Sequence, residues 1–140
     1  MGESVMSRPD PIAVVVDQTP HEFLWPNKGK HRRTKEPYRD ALKGAAAAGA
    51  INALKGKPWA WSGPIMLHVE VFWPNGTRRL DFDNMVAALK AATDGIFLKL
   101  DADDRQVLGM TVLQDWDRAN NAGYMVYSIE AVETEGQVAA

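Results

Sequence analysis

The stretch Gly63–Pro74, GPIMLHVEVFWP, constrains this chain more than any other. Ile65, Leu67, Val69, Val71 and Trp73 alternate there with Met66, His68, Glu70 and Phe72. Successive side chains of a strand point to opposite faces, so this period of two predicts a strand with one face in a core. The first set is expected inward. Glu70 then points to the other face.

The rest of the chain offers partners for that strand. Ile12–Asp17, IAVVVD, is β-branched and reads as a first strand. QVLGMTVLQDW and GYMVYSIEAVE read as two more, joined through DRANNAG as a hairpin with a long loop. Two helices separate these pieces. The first follows Thr34, a candidate cap, with Pro37 near its first turn, and runs to about Lys55. Gly44 and Gly49 weaken it, which implies close packing inside it. The second helix starts around Asp83 and runs to about Phe97, with Val86, Leu89 and Ile96 among its apolar positions. The order β-α-β-α-β-β predicts a compact single α+β domain, with helices packed on a mixed β-sheet. Residues 12–133 are expected to form it. Residues 1–11 and 134–140 read as flexible ends.

Composition agrees with one domain of 140 residues: 46% of them are hydrophobic and 24% charged. The chain has no cysteine, which excludes disulfides, cysteine zinc sites and thiol catalysis, and fits a reducing cytoplasm. The longest apolar runs, such as Ile12–Val16 and Ala45–Ala48, are too short to span a bilayer. No basic segment followed by an apolar run marks a secretory signal. The net charge of -2 conceals an asymmetry. Lys28, Lys30, Arg32, Arg33, Lys35 and Arg39 face one acid, Glu36, whereas the eight acids from Asp101 onward are set against Arg105 and Arg118. That is compatible with a local polyanion site, and equally with a solvated charged face.

RRLDFDNMVAALKAATDG, Arg78–Gly95, holds the chemistry. A helix turns about 100° per residue and rises about 1.5 Å, so Asp83 and Lys90 share a face roughly 10 Å apart. Asp94 falls near the same line. Asp81 belongs to the extended segment before the helix. Two carboxylates so spaced can share a hard cation such as Mg²⁺, which takes one or two carboxylates, waters and substrate phosphate. Asp103 or Asp104, after the same helix, is the candidate third acid. The simpler alternative is one capping aspartate, one solvated aspartate and a Lys90–Asp94 pair. A calcium-loop reading of DADDRQ fails, because Arg105 and Gln106 occupy positions that need an oxygen ligand and a glycine.

The combination RRLDFDN, Lys90, Asp94–Gly95 and DADDRQV resembles the RusA-like Holliday-junction resolvases of phages and prophages. WPN and KHRRTKEPYR leading into a helix are similar too, and the resemblance covers about Ile12 to Glu130. It implies a Mg²⁺-dependent endonuclease, with Mn²⁺ a substitute, acting as a homodimer on four-way DNA junctions in a bacterial host's cytoplasm. By motif position Asp81, Asp83 and Asp104 are the implied metal ligands, with Asp103 the adjacent acid. Lys90 is the implied catalytic lysine, although some members place it four residues after the second aspartate, where this chain has Ala87. Lys28, Lys30, His31, Arg32, Arg33, Lys35, Arg78 and Arg79 are the expected phosphate contacts, which position DNA without reading its sequence. A non-catalytic DNA-binding module, or a nuclease preferring flaps, forks or duplex, stays open as an alternative.

Other residues weigh less. His31 and His68 read first as a surface and a structural histidine. Glu70 is either an exposed strand residue or a further acid near the site. Trp25, Trp59, Trp61, Trp73 and Trp116 are expected in packing, with Trp25 and Trp61 the candidates for stacking on bases.

Overall fold

The computed structural model describes residues 7–25, 32–77, 79–116, 119 and 121–133. Four strands and three helices form the expected α+β domain: β1 (Ile12–Val16), α1 (Arg32–Leu54), β2 (Ile65–Trp73), α2 (Phe82–Ala88), α3 (Lys90–Leu100), β3 (Val107–Trp116) and β4 (Tyr124–Ala131). Short 3₁₀ turns at Glu22–Leu24 and Asp104–Gln106 complete it. None of the described helices is long and apolar enough to cross a membrane.

The sheet order is β1-β4-β2-β3. β4 runs antiparallel to both β1 and β2, whereas β3 runs parallel to β2. β1, β2 and β3 therefore share a direction. The crossovers β1-α1-β2 and β2-α2-α3-β3 both step the same way across the sheet. Such crossovers are almost always right-handed, and two of one hand stepping one way lay their helices on one face. That face carries Val14, Val16, Leu67, Val69, Val71, Trp73, Met125, Tyr127 and Ile129, all at most 1% exposed. Ile65 through Trp73 alternate inward as expected, and Glu70 lies exposed on the other face.

The expected β3–β4 hairpin does not form. β4 inserts between β1 and β2 instead, and β3 takes the edge. Burial gives the reason. Met125, Tyr127, Ile129 and Ala131 are all buried, so β4 suits the sheet interior, while Leu108 and Leu113 leave β3 exposed at 57% and 64%.

α1 begins at Arg32, before the candidate cap Thr34, and Pro37 lies inside it. Leu42, Ala46 and Ala50 point into the core. Two glycines let backbones meet. A Cβ on Gly49 would strike the carbonyl oxygen of Val15 on β1, and one on Gly95 of α3 would strike that of Lys43 on α1. Gly44, by contrast, faces open space. Gly95→Ala is therefore expected to cost about 2–3 kcal/mol through overpacking. Gly44→Ala should stabilise by about 0.5–1 kcal/mol through helix propensity. Urea denaturation of the two variants measures the contrast; shifts of the same sign would contradict the close approach.

Candidate functional site

The site is built from the segment that leaves β2. Gln114, on the inner face of β3, holds it from both sides. Its Oε1 accepts from the Leu80 backbone N–H and from Trp73 Nε1, both at 3.0 Å, and its Nε2 donates to Leu80 O at 2.7 Å. Trp116, two residues along the same face, donates from Nε1 to Thr77 O at 2.9 Å. The Arg79 guanidinium lies over the Trp116 ring, 4.8 Å from its centroid, within cation–π range. The chain thus enters Asp81 with Leu80 clamped. Trp116 is among the tryptophans expected in packing, whereas Gln114 is not among the expected site residues. The available signal was a polar side chain in phase with the inward residues of a strand.

Asp81 occupies the N-cap position of α2 with extended backbone angles, yet its side chain makes no capping hydrogen bond. Only its carbonyl serves the helix, accepting from Met85 N at 2.9 Å. Asp83, in the first turn, accepts from its neighbour Asn84 N at 3.0 Å. Both aspartates are exposed, and Phe82 between them is 57% exposed. This helix start, with two aspartates, therefore leaves a carboxylate unused by capping, at the end of a helix that favours negative charge.

The expected single helix is two. It breaks at Leu89, whose N–H is shared between Met85 O at 3.0 Å and Val86 O at 3.2 Å. Thr93 supplies a cause: both its backbone N–H (3.0 Å) and its hydroxyl (3.1 Å) donate to Leu89 O. Such back-bonding bends helices. The Thr93 hydroxyl proton is then spent, so the Tyr127 hydroxyl, 3.0 Å away, is the donor to Thr93 Oγ1. Burial pushes the Tyr127 phenol well above its usual range and keeps that proton in place. The bend is thereby tied to the central strand β4. It falls between Asp83 and Lys90, so the geometry of one straight helix face does not apply to them unchanged.

Lys90 is the centre of charge. Its ammonium donates to Asp94 Oδ1 at 2.9 Å and to Asp104 Oδ2 at 3.0 Å. The first is the simple i,i+4 pair; the second brings the acidic loop back against the start of α3. Asp94, and then Asp104, raise the Lys90 pKa above 10.5. Lys90 is therefore a cation throughout the neutral range and cannot take up a proton there. A raised lysine pKa stabilises the fold fully below pH 10.5, and the contribution is lost as pH rises through the folded value. The groups are exposed, so the pairs contribute only tenths of a kcal/mol.

The two adjacent loop acids have different jobs. Asp103 accepts from Arg105 N at 2.8 Å and from its guanidinium at 3.2 and 3.3 Å. This holds its carboxyl below the usual range. It forms a capping box with Gln106, whose Oε1 accepts from Asp103 N at 2.8 Å and whose Nε2 donates to Trp61 O and Gly63 O. Asp103 is thus engaged in holding the loop, and Asp104 is the one turned to Lys90.

α1 and the α2–α3 bend enclose a cleft of about 420 Å³. Arg39, Asp40 and Lys43 line one wall; Ala87, Ala88, Lys90, Ala91 and Asp94 line the other, with Leu24 between. Ala87 and Lys90 open into the same space, so a lysine at either position would reach it. Among the described residues no group of three or more acids and histidines stands ready to hold a metal. The donor chemistry still suits a hard cation, since Mg²⁺ needs only one or two carboxylates beside water and substrate. Asp81 and Asp83 offer exposed oxygens, while the Asp104 carboxylate is neutralised by an ammonium.

Of the expected phosphate contacts, Lys28, Lys30, His31 and Arg78 lie outside the described residues, and Arg32 and Arg33 are placed only as the start of α1. Lys35 is half-buried and Arg79 exposed. Every tryptophan indole N–H has an acceptor: Trp25 on Pro20 O, Trp59 on Asp10 O, Trp61 on Pro64 O, and Trp73 and Trp116 as above. Trp59 and Trp73 are core residues. His68 pairs across strands with Thr111 Oγ1 at 2.8 Å, on the sheet face opposite the helices.

Gln114→Leu would leave the Trp73 indole and both Leu80 backbone groups short of partners, and is expected to cost about 2–3 kcal/mol, read by thermal or urea denaturation. In a side-chain NMR titration, Lys90 should deprotonate above the ordinary lysine value of 10.5. Asp94→Asn should lower its midpoint more than Asp104→Asn. A Lys90 midpoint indifferent to both would contradict the two ion pairs.

Neither a scan against protein-family models nor a search of curated proteins finds a match to this chain.

Proposed function

We propose that this chain is a metal-dependent, structure-selective endodeoxyribonuclease that nicks branched DNA, as its resemblance to the RusA-like resolvases implies. The observation that carries the reading is the Lys90–Asp104 ion pair at 3.0 Å. It unites two parts of the motif that lie fourteen residues apart in the chain. The Asp81 carboxylate supports the same reading, because it makes no capping hydrogen bond and its oxygens stay open to a cation.

Asp81 and Asp83 would hold a Mg²⁺ or Mn²⁺ ion, with Asp104 the third acid that the resemblance adds. A bound ion would lower the pKa of water to make a nucleophile and polarise the phosphoryl oxygens. The protein's own share is positioning and charge. Lys90, fixed as a cation, stabilises the negative charge that builds on the scissile phosphate. Asp94 and Asp104 aim its ammonium. Gln114, through Leu80, sets where Asp81 begins. Phe82, exposed between the two acids, offers a flat apolar face to a base at a strand opening. A two-fold homodimer would match the approximate two-fold symmetry of a four-way junction and cut opposed strands. The setting would be the cytoplasm of a bacterial host, with the gene carried by a phage or prophage.

Asp81→Asn and Asp83→Asn are expected to reduce junction cleavage in Mg²⁺ by at least about a hundredfold while leaving DNA binding in EDTA intact. Cleavage rates should rank a synthetic four-way junction above fork and linear duplex. Binding without cleavage by the wild-type chain, in either Mg²⁺ or Mn²⁺, would favour the non-catalytic module. Equal rates on all three substrates would remove the junction assignment.

A further inference from the structure

The cleft between α1 and the α2–α3 bend holds two cations, Arg39 and Lys43, that are neither in the aspartate block Arg78–Val107 nor among the expected phosphate contacts. Arg39 and Lys43 are four residues apart on α1, so they project from one face about 6 Å apart along the axis. Both are exposed, and neither makes an ion pair or side-chain hydrogen bond among the described residues. They face Lys90 across the cleft. Three cations therefore line a space with two acids, Asp40 and Asp94, and Asp94 is already paired with Lys90. The cleft does not end there. A second hollow of about 320 Å³ shares Lys43 and Asp94 and runs on to Asp103 and Asp104. In the other direction Ala87 lies on its wall, one helical turn from Asp83 on α2.

We propose that this cleft is a phosphodiester-binding groove, in which Arg39 and Lys43 grip the DNA backbone beside the phosphate presented to Lys90. The inference rests on the nuclease reading and adds two positioning residues to it. Unpaired cations gain from an anion what Lys90 already gains from its aspartates. Arg39 supplies a planar fork that can hold two phosphate oxygens, and Lys43 a point charge one turn on. Ala87, Ala88 and Ala91 keep the opposite wall low, which leaves room for a sugar–phosphate chain rather than a single ion.

The test uses the full chain and a fluorescent four-way junction in EDTA, with anisotropy read across a salt series. The double variant Arg39→Gln/Lys43→Gln should weaken binding at least about tenfold at moderate salt. Its slope of log affinity against log salt should fall by roughly 1.4–1.8, two phosphate contacts at about 0.7–0.9 each. Lys55→Gln/Lys57→Gln, which removes the same charge from residues that do not line the cleft, should change the slope by less than half of that. Equal losses in both double variants, or an unchanged slope in the first, would overturn the groove. If the wild type cuts junctions while the Arg39/Lys43 variant binds normally, the groove fails and the nuclease reading stands. A wild type that neither binds nor cuts DNA sinks both.

Discussion

The contact between Gly95 and the Lys43 carbonyl fixes most of what matters in this molecule. It brings α3 against α1 with no side chain between the two backbones. Asp94 precedes that glycine, and Lys43 carries that carbonyl. The width of the charged cleft is therefore set by backbone, not by side-chain rotamers. A second such contact, Gly49 against Val15 O, presses α1 onto β1. Close-packed interiors resist small displacements, so charged walls mounted this way keep their separation. Polar groups gain most from an anion when they need not move to meet it.

The arrangement of charge follows from that rigidity. Asp103 is bound into the capping box with Gln106 and paired with Arg105, which leaves Asp104 turned to Lys90. Lys90 receives two carboxylates and stays positive. Arg39 and Lys43, on the facing helix, receive none among the described residues. Neighbouring residues of like chemistry are thus sorted by the loop's own hydrogen bonds into some that hold the structure and some that remain available. Asp81 shows the same sorting at the other end, where the clamp from Gln114 to Leu80 positions the chain and the Asp81 carboxylate is left uncommitted to the helix cap.

How far these features could be read from sequence depended on their range. The alternation from Ile65 to Trp73 and the order of elements were legible, because burial imposes a local period. The tight packing at Gly49 was legible as well, because a glycine inside a helix needs a reason; the same logic misled at Gly44, which meets nothing. Strand pairing was not legible. The segment between β3 and β4 looked like a hairpin, yet β4's fully buried inner set drew it into the sheet interior, a competition that no short window displays. The break at Leu89 depended on Thr93 bonding backward and on Tyr127 reaching from β4, a contact between residues 34 apart. The grouping of Lys90 with Asp104 needed the same three-dimensional return of the loop. The metal-ligand assignments and the junction preference came from resemblance, which is a different kind of warrant from geometry.

The distribution of the candidate groups bears on the kind of ligand. Asp81 follows the carboxyl end of β2, the position where open sheets of parallel strands commonly build their sites. Asp104 lies before β3, toward the opposite end of the helical layer, and meets Lys90 part-way along it. Asp94, Asp103 and Asp104 line the hollows between α1 and α3, and Ala87, one turn from Asp83, lines the cleft. A row of charges suits a ligand that is itself a row of charges, with each phosphate meeting a different part of the track. On the proposed reading, Lys90, Arg39 and Lys43 hold the strand along this cleft, and the bend at Leu89 lets one helical unit follow it.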